Sequence, residues 1–200
     1  MQKEKEKTMA LIEGIAKIRV TELDIYGADG SPLVSEISTM IQSMDIAPAY
    51  VDGAEIIQRG GDKIKAVVKE DDTFLGVNIT LNLAAVEVDL KVLIVGGTID
   101  PADATKWEAP INDSEMPLPF KLEVWQAHYS ESDSESTLDG YIEHVFAFCK
   151  RGRLGSRSAA QQAFSNEQYT LEARRNESYS PFEGAWTHAE ITIAAFELIV

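Results

Sequence analysis

Cysteine is nearly absent: Cys149 is the single one in 200 residues. That excludes an internal disulfide and any zinc site built from several thiolates. Cys149 ends the apolar run Val145-Phe146-Ala147-Phe148-Cys149, where a thiol is expected to be buried and inert. Positive charge is scarce as well. Eighteen Lys and Arg stand against 33 Asp and Glu, a formal net charge of −15. A surface this acidic repels phosphate backbones, which argues against clamping or reading nucleic acid. It suits solubility at high concentration, or the wall of a passage through which DNA slides without adhering. No apolar run approaches the ~20 residues of a membrane-spanning helix. The opening MQKEKEKTMA is charged and is not followed by the apolar stretch of a secretory leader. A cytosol-like compartment is therefore expected.

Catalytic signatures are also missing. There is no Gly-x-Ser-x-Gly elbow and no Gly-x-x-x-x-Gly-Lys-Ser/Thr phosphate loop. Gly96-Gly97-Thr98 does not match the dinucleotide fingerprint, and no βαβ alternation surrounds it. His128, His144 and His188 fall in or beside expected strands, but none pairs with another at the short spacing of a metal motif. His188-Ala189-Glu190 resembles the His-x-Glu of zinc deaminases but lacks their cysteine pair. Ser130–Gly140 is rich in acids, yet reads as an exposed loop too solvated to raise a carboxyl pKa for acid catalysis. Trp107, Trp125 and Trp186 are better suited to core packing than to a sugar platform. Two rivals to a structural role follow. One is a carbohydrate-binding β-sandwich module using an exposed tryptophan; the other is a His-ligated, metal-dependent cupin-like enzyme. No cofactor is expected.

What is present is mostly strand. The length suits one domain, 1–200, with a charged arm over 1–10. Ile18–Tyr26 alternates with a mid-strand phase shift, as at a bulge, and Ala28–Pro32 is a turn. Leu33–Met44 fits a short strand or a helical turn. Asp45–Asp62 reads as a long loop broken by Pro48, Gly53, Gly60 and Gly61, yet it carries Ile46, Tyr50, Val51, Ile56 and Ile57. So apolar a loop covers something or docks on something; the alternative is two short strands of the same sheet. Lys63–Lys69 is a strand and Glu70–Asp72 a turn. Ile99–Pro119, with four prolines, is expected to be irregular and pinned by Trp107. Phe120–Tyr129 and Tyr141–Cys149 form a hairpin around the acidic loop. Lys150, Arg151, Arg153 and Arg157 are the dense basic cluster, expected to pair with a neighbour's carboxylates. Tyr169–Arg174 is a strand, Asn176–Gly184 a turn-rich loop, and Ala189–Ile199 a closing strand.

The chain is organised around Thr73–Thr98, TFLGVNITLNLAAVEVDLKVLIVGGT. Val77, Ile79, Leu81 and Leu83 alternate with Asn78, Thr80 and Asn82, a strand with one buried face. Ala84–Val95 fits two patterns. Its residues 86, 88, 90, 92 and 94 alternate like a strand, while Leu83, Val86, Leu90, Leu93 and Ile94 keep helical spacing before the stop Gly96-Gly97.

A polar-faced strand leading into such an amphipathic stretch closed by Gly-Gly resembles the tail tube proteins (major tail proteins) of long-tailed bacteriophages. Gln168–Asn176, QYTLEARRN, resembles a later strand of that family. The resemblance implies that Ala84–Val95 is helical and that the fold is mainly β, a β-sandwich or flattened barrel with one flanking helix. It further implies homo-hexameric rings stacked into a hollow tube around a tape-measure protein, with tail terminator and tip proteins as further partners. DNA would be cargo in transit, no residue would be catalytic, and the subunit would be assembled in the host cytoplasm into the virion.

Overall fold

The structure is a computed structural model. It describes residues 10–30, 34–60, 63–112, 115–132, 135–155, 166–174 and 187–197. Most of the N-terminal arm, Arg157, Trp186 and the expected loop 176–184 lie outside these residues. The first half holds β1 (Ala10–Glu22), β2 (Ser35–Ser38), β3 (Ile41–Val51), β4 (Glu55–Gly60), β5 (Lys63–Lys69), β6 (Thr73–Leu83) and α1 (Val88–Val95). The second holds β7 (Thr98–Asp100), β8 (Asp103–Glu108), β9 (Phe120–Ser132), β10 (Glu135–Cys149), β11 (Arg153–Leu154), β12 (Glu167–Ala173), β13 (Thr187–Thr192) and α2 (Ile193–Glu197).

The fold is mainly β. One large antiparallel sheet runs β2-β1-β9-β10-β12-β6-β3, with β13 added to β10 and β11 to β12. Four strands separate β1 from β3, yet the two come together, so the sheet folds back on itself. Its inner faces share one core: Ile18 and Val20, Val77 to Leu83 in alternation, Phe120, Leu122, Val124, Phe146, Cys149, Tyr169, Leu171 and Ala173. Strict alternation in β6 and β12 produces this, because every second side chain points to one face. The part of the sheet made by β2, β1, β9 and β10 meets the part made by β12, β6 and β3 at a narrow join: β10 and β12 share the single register pair Cys149↔Ala173.

Helix α1 closes one end of the core with Leu90, Leu93 and Ile94. Of the expected helix Ala84–Val95, only Val88–Val95 is helical, and Ala84–Glu87 is an irregular link in which Val86 is exposed. Within α1 the helical period prevails over the β propensity of the valines because tertiary burial outweighs propensity. The stop is glycine by necessity. Gly96 and Gly97 have φ of 88° and 95°, and a Cβ on Gly97 would lie 2.1 Å from the Glu108 carbonyl oxygen.

Several expectations are corrected. Asp45–Asp62 is not a loop: Asp45–Val51 belongs to β3, paired with β6, and Glu55–Gly60 is β4, paired with β5 in a sheet of its own. The breakers misled because Pro48 is accommodated within an edge strand and Gly53 marks a break between two strands. Ser130–Gly140 is not a loop either. The ladder continues to Glu135↔Ser132, since backbone pairing needs no apolar side chains. Leu33–Met44 supplies β2 and the start of β3 rather than a helical turn. Ile99–Pro119 begins with the β7–β8 hairpin. The bulge in β1 falls earlier than expected, around Gly14 and Ile15, and Ile25 and Tyr26 lie beyond the strand. The closing strand stops at Thr192, where a second helix begins. The Thr192 hydroxyl accepts from the Ala195 N–H at 3.3 Å, an N-cap bond, and Ala-Ala favours the helix.

Candidate functional site

The most distinctive surface is the arm formed by β3 to β6. β3 and β6 pair from Ile41↔Leu83 to Val51↔Thr73, and β4 and β5 extend the hairpin from Glu55↔Lys69 to Gly60↔Lys63. Between the two stretches Gly53 donates its N–H to Asp72 Oδ1 at 3.0 Å, and Glu70 donates its N–H to the Ala54 carbonyl at 3.0 Å. A Cβ on Gly53 would lie 1.9 Å from the Glu70 carbonyl oxygen, so only glycine lets the two backbones approach.

Side-chain environment changes along this arm. Ile46 is half-buried and packs on the core, so it is a body residue. Tyr50, Val51, Ile56 and Ile57 are exposed, and so are Val67, Val68, Phe74 and Leu75. Ile56 pairs with Val68 and Ile57 with Val67, and neighbouring pairs face opposite ways, so the base of the β4–β5 extension carries apolar side chains on both faces. Tyr50 and Phe74 form an edge-to-face pair with ring centroids 5.6 Å apart. A lone two-stranded ribbon is marginal in water, and apolar side chains on both faces have no core here to enter. This arrangement can bind another apolar surface.

The basic segment is a second surface. Lys150, Arg151 and Arg153 are exposed, while Arg157 lies outside the described residues. Its glycines serve packing. The Gly152 N–H donates to the Ile94 carbonyl at 2.7 Å, and a Cβ there would lie 2.3 Å from the Ile94 side chain. Thus β11 is strapped against α1 and β12 with its cations turned outward.

Two buried lysines escaped sequence reasoning. Lys91 of α1 donates to Glu167 Oε1 at 2.6 Å, and the Tyr169 hydroxyl donates to the other carboxylate oxygen at 2.5 Å. The Lys91 ammonium lies 4.3 Å from the Trp107 ring centre, and the Trp107 indole N–H donates to the Gly96 carbonyl at 2.8 Å. Trp107 therefore does pin its segment to the body. Lys17 of β1 lies 4.1 Å from the Phe196 ring centre and 5.5 Å from that of Trp125. The helical phase of Lys91 was a readable signal; nothing in the sequence marks Lys17.

The remaining candidates are placed as follows. His144 and His188 face each other across β10 and β13 with ring centroids 6.2 Å apart. His144 bonds Gln126 through Nε2 at 2.8 Å; burial, and then the His188 charge, lower its pKa. His128 pairs with Gly140, further along β9. Among the described residues no three His, Cys, Asp or Glu are grouped to hold a metal ion. Trp125 is fully buried, with Phe196 against it, so it offers no open sugar platform. Cys149 is buried, and burial pushes its thiol far above the usual range. No helix among the described residues is long and apolar enough to cross a membrane. No protein-family model and no curated protein matches this chain.

Proposed function

We propose that this chain is a structural subunit of a bacteriophage tail tube. Six copies form a ring, and rings stack into a hollow conduit with an acidic lumen for genome delivery. The observation that carries the reading is the projecting arm with apolar side chains on both faces. An arm of that composition requires a partner surface, and stacked copies supply one at every ring. Tyr50, Val51, Ile56 and Ile57 meet the adjacent ring, while Ile46 stays in its own subunit. The family resemblance adds a tape-measure protein inside the growing tube, terminator and tip proteins at its ends, and DNA as non-specific cargo. The work is done by interfaces, without catalysis or cofactor, in a particle assembled in the host cytoplasm.

Charge supports the same reading. DNA carries one negative charge per ~1.7 Å of axis, so exposed lysines repeated ring after ring would retain it. With a net charge of −15, this chain can line a channel with carboxylates and spend Lys150, Arg151, Arg153 and Arg157 on its neighbours.

Negative-stain electron microscopy of the purified protein tests the proposal. Rings or tubes are expected; a strict monomer at high concentration across salt conditions would overturn it. Trimming Glu55–Lys69 to a short turn leaves every β3–β6 pair in place. The trimmed chain should keep its melting temperature within a few degrees, yet form no stacked tubes. Arg151→Glu with Arg153→Glu should change stability by less than about 0.5 kcal/mol. Exposed ion pairs are worth only ~0.2–1 kcal/mol each, so tube assembly should weaken in a salt-dependent way rather than vanish.

A further inference from the structure

Strand β13 pairs with β10 from Val145↔Thr187 to Gly140↔Thr192, and α2 follows without a break. Phe196 then lies against the outer face of the sheet. Its ring stacks on Tyr141 with centroids 3.7 Å apart and meets Trp125 edge-on at 6.3 Å. Beneath it is Lys17, 4% exposed, whose ammonium has no hydrogen-bond partner.

The charges around Lys17 do not supply an acceptor. Arg19, two residues along β1, is held by Glu123 of β9 through two bonds of 2.7 and 2.8 Å. Glu143 of β10 stands opposite Trp125 in the register and is half-buried. Glu197 of α2 is exposed. None of these three carboxylates bonds the Lys17 ammonium.

An ammonium has three N–H donors and is strongly hydrated in water. When α2 lies down, that hydration is exchanged for two ring faces, which offset part of the charge's desolvation but accept no conventional hydrogen bond. Burial of Phe196 favours the same movement. We propose that Thr187–Glu197 is a spring-loaded strap: Phe196 closes it, the unpaired Lys17 beneath opposes closure, and the strap opens before the rest of the sheet unfolds. Opening uncovers Trp125, Tyr141 and Lys17, an aromatic surface with a cation at its centre. It also frees the edge of β10 from Gly140 to Val145. Burial, and then the Arg19 charge, lower the Lys17 pKa, which has the sign this device requires. The closed strap holds the Lys17 proton less tightly than the open one, so removing that proton favours closure.

Amide hydrogen exchange on the full chain, read by mass spectrometry, tests this. In the unaltered protein, Thr187–Glu197 should exchange at least about tenfold faster than the paired segments of β1 and β9. Lys17→Met removes the charge while keeping an apolar stem, and should slow exchange of the strap severalfold. Lys17→Arg keeps the charge and should match the unaltered protein. Phe196→Leu should speed exchange of the strap alone. As pH rises towards the ordinary lysine pKa of about 10.4, after correction for intrinsic exchange, protection of the strap should rise in the unaltered protein and stay flat in Lys17→Met. Unchanged or faster exchange in Lys17→Met would overturn the proposal, because the charge would then be irrelevant or holding the strap down. Slow exchange in Lys17→Arg would overturn it too, by assigning the effect to side-chain fit. So would a strap that exchanges together with β1 and β9.

Discussion

Lys91 and Lys17 are both buried, and each sets its ammonium about as close to an aromatic ring, 4.3 Å from Trp107 and 4.1 Å from Phe196. They differ in one partner. Lys91 has a carboxylate at 2.6 Å, itself held by Tyr169, whereas Lys17 has no hydrogen-bond partner. Burial and an aromatic neighbour therefore do not define a lysine's role; the acceptor does. Around α1 the polar groups form a closed set that fixes the helix to β12 and to the β7–β8 hairpin. Around α2 the Lys17 ammonium is left without an acceptor, and the element above it is poised to move.

The largest effect should come from Lys91→Pro. It removes the 3.0 Å bond from the Lys91 N–H to the Glu87 carbonyl and leaves Glu167 buried without its cation. The helix break costs about 3 kcal/mol or more and an orphaned buried charge about 3–5 kcal/mol. Against a total stability of ~5–15 kcal/mol, the variant should show no cooperative unfolding by circular dichroism. Glu167→Gln spares the backbone and tests the ion pair alone. A loss of about 3 kcal/mol is expected from urea midpoints; a loss below about 1 kcal/mol would erase the contrast between the two lysines. Smallest is Lys17→Met, with an expected gain of ~1 kcal/mol. The sign with pH follows from linkage. The folded-state pKa of Lys17 lies below its unfolded value of about 10.4, so the unfolded chain binds more protons between the two. Stability of the parent relative to Lys17→Met should therefore rise with pH across that window and be flat well below it. An opposite slope would show that the ammonium holds the fold together.

The sequence made the body legible where one face is buried. Alternation in Val77–Leu83 and Tyr169–Ala173 is visible residue by residue, and Gly96-Gly97 announced the end of α1. It was opaque where strands leave the core. In β4 and the far half of β3, apolar residues on both faces destroy the period that identifies a strand, and Pro48 and Gly53 look like loop residues. The acidic tip of the β9–β10 hairpin hid for the converse reason, since both its faces are polar in sequence. Of the candidate surface residues, Tyr50, Val51, Ile56 and Ile57 are as exposed as their composition implied, and Ile46 is not, because its place in the register turns it inward. The Lys17 slot depends on contacts among residues 17, 125, 141 and 196, and separations that long leave no local pattern.

The join between β10 and β12 has a mechanical consequence. The arm belongs to the β12-β6-β3 leaf and the strap to the β1-β9-β10 leaf. The ladder between the two leaves is the pair Cys149↔Ala173, flanked by the bonds Lys150 N–H to Glu172 O and Arg174 N–H to Phe148 O, and the chain also crosses between them from β2 to β3. Elsewhere the leaves are held face to face by apolar packing, which resists separation but yields to small sliding more readily than a hydrogen-bonded ladder does. The subunit is thus expected to be stiffer within each leaf than between them. A tube built from such units would bend by shearing leaf over leaf while each ladder stayed whole.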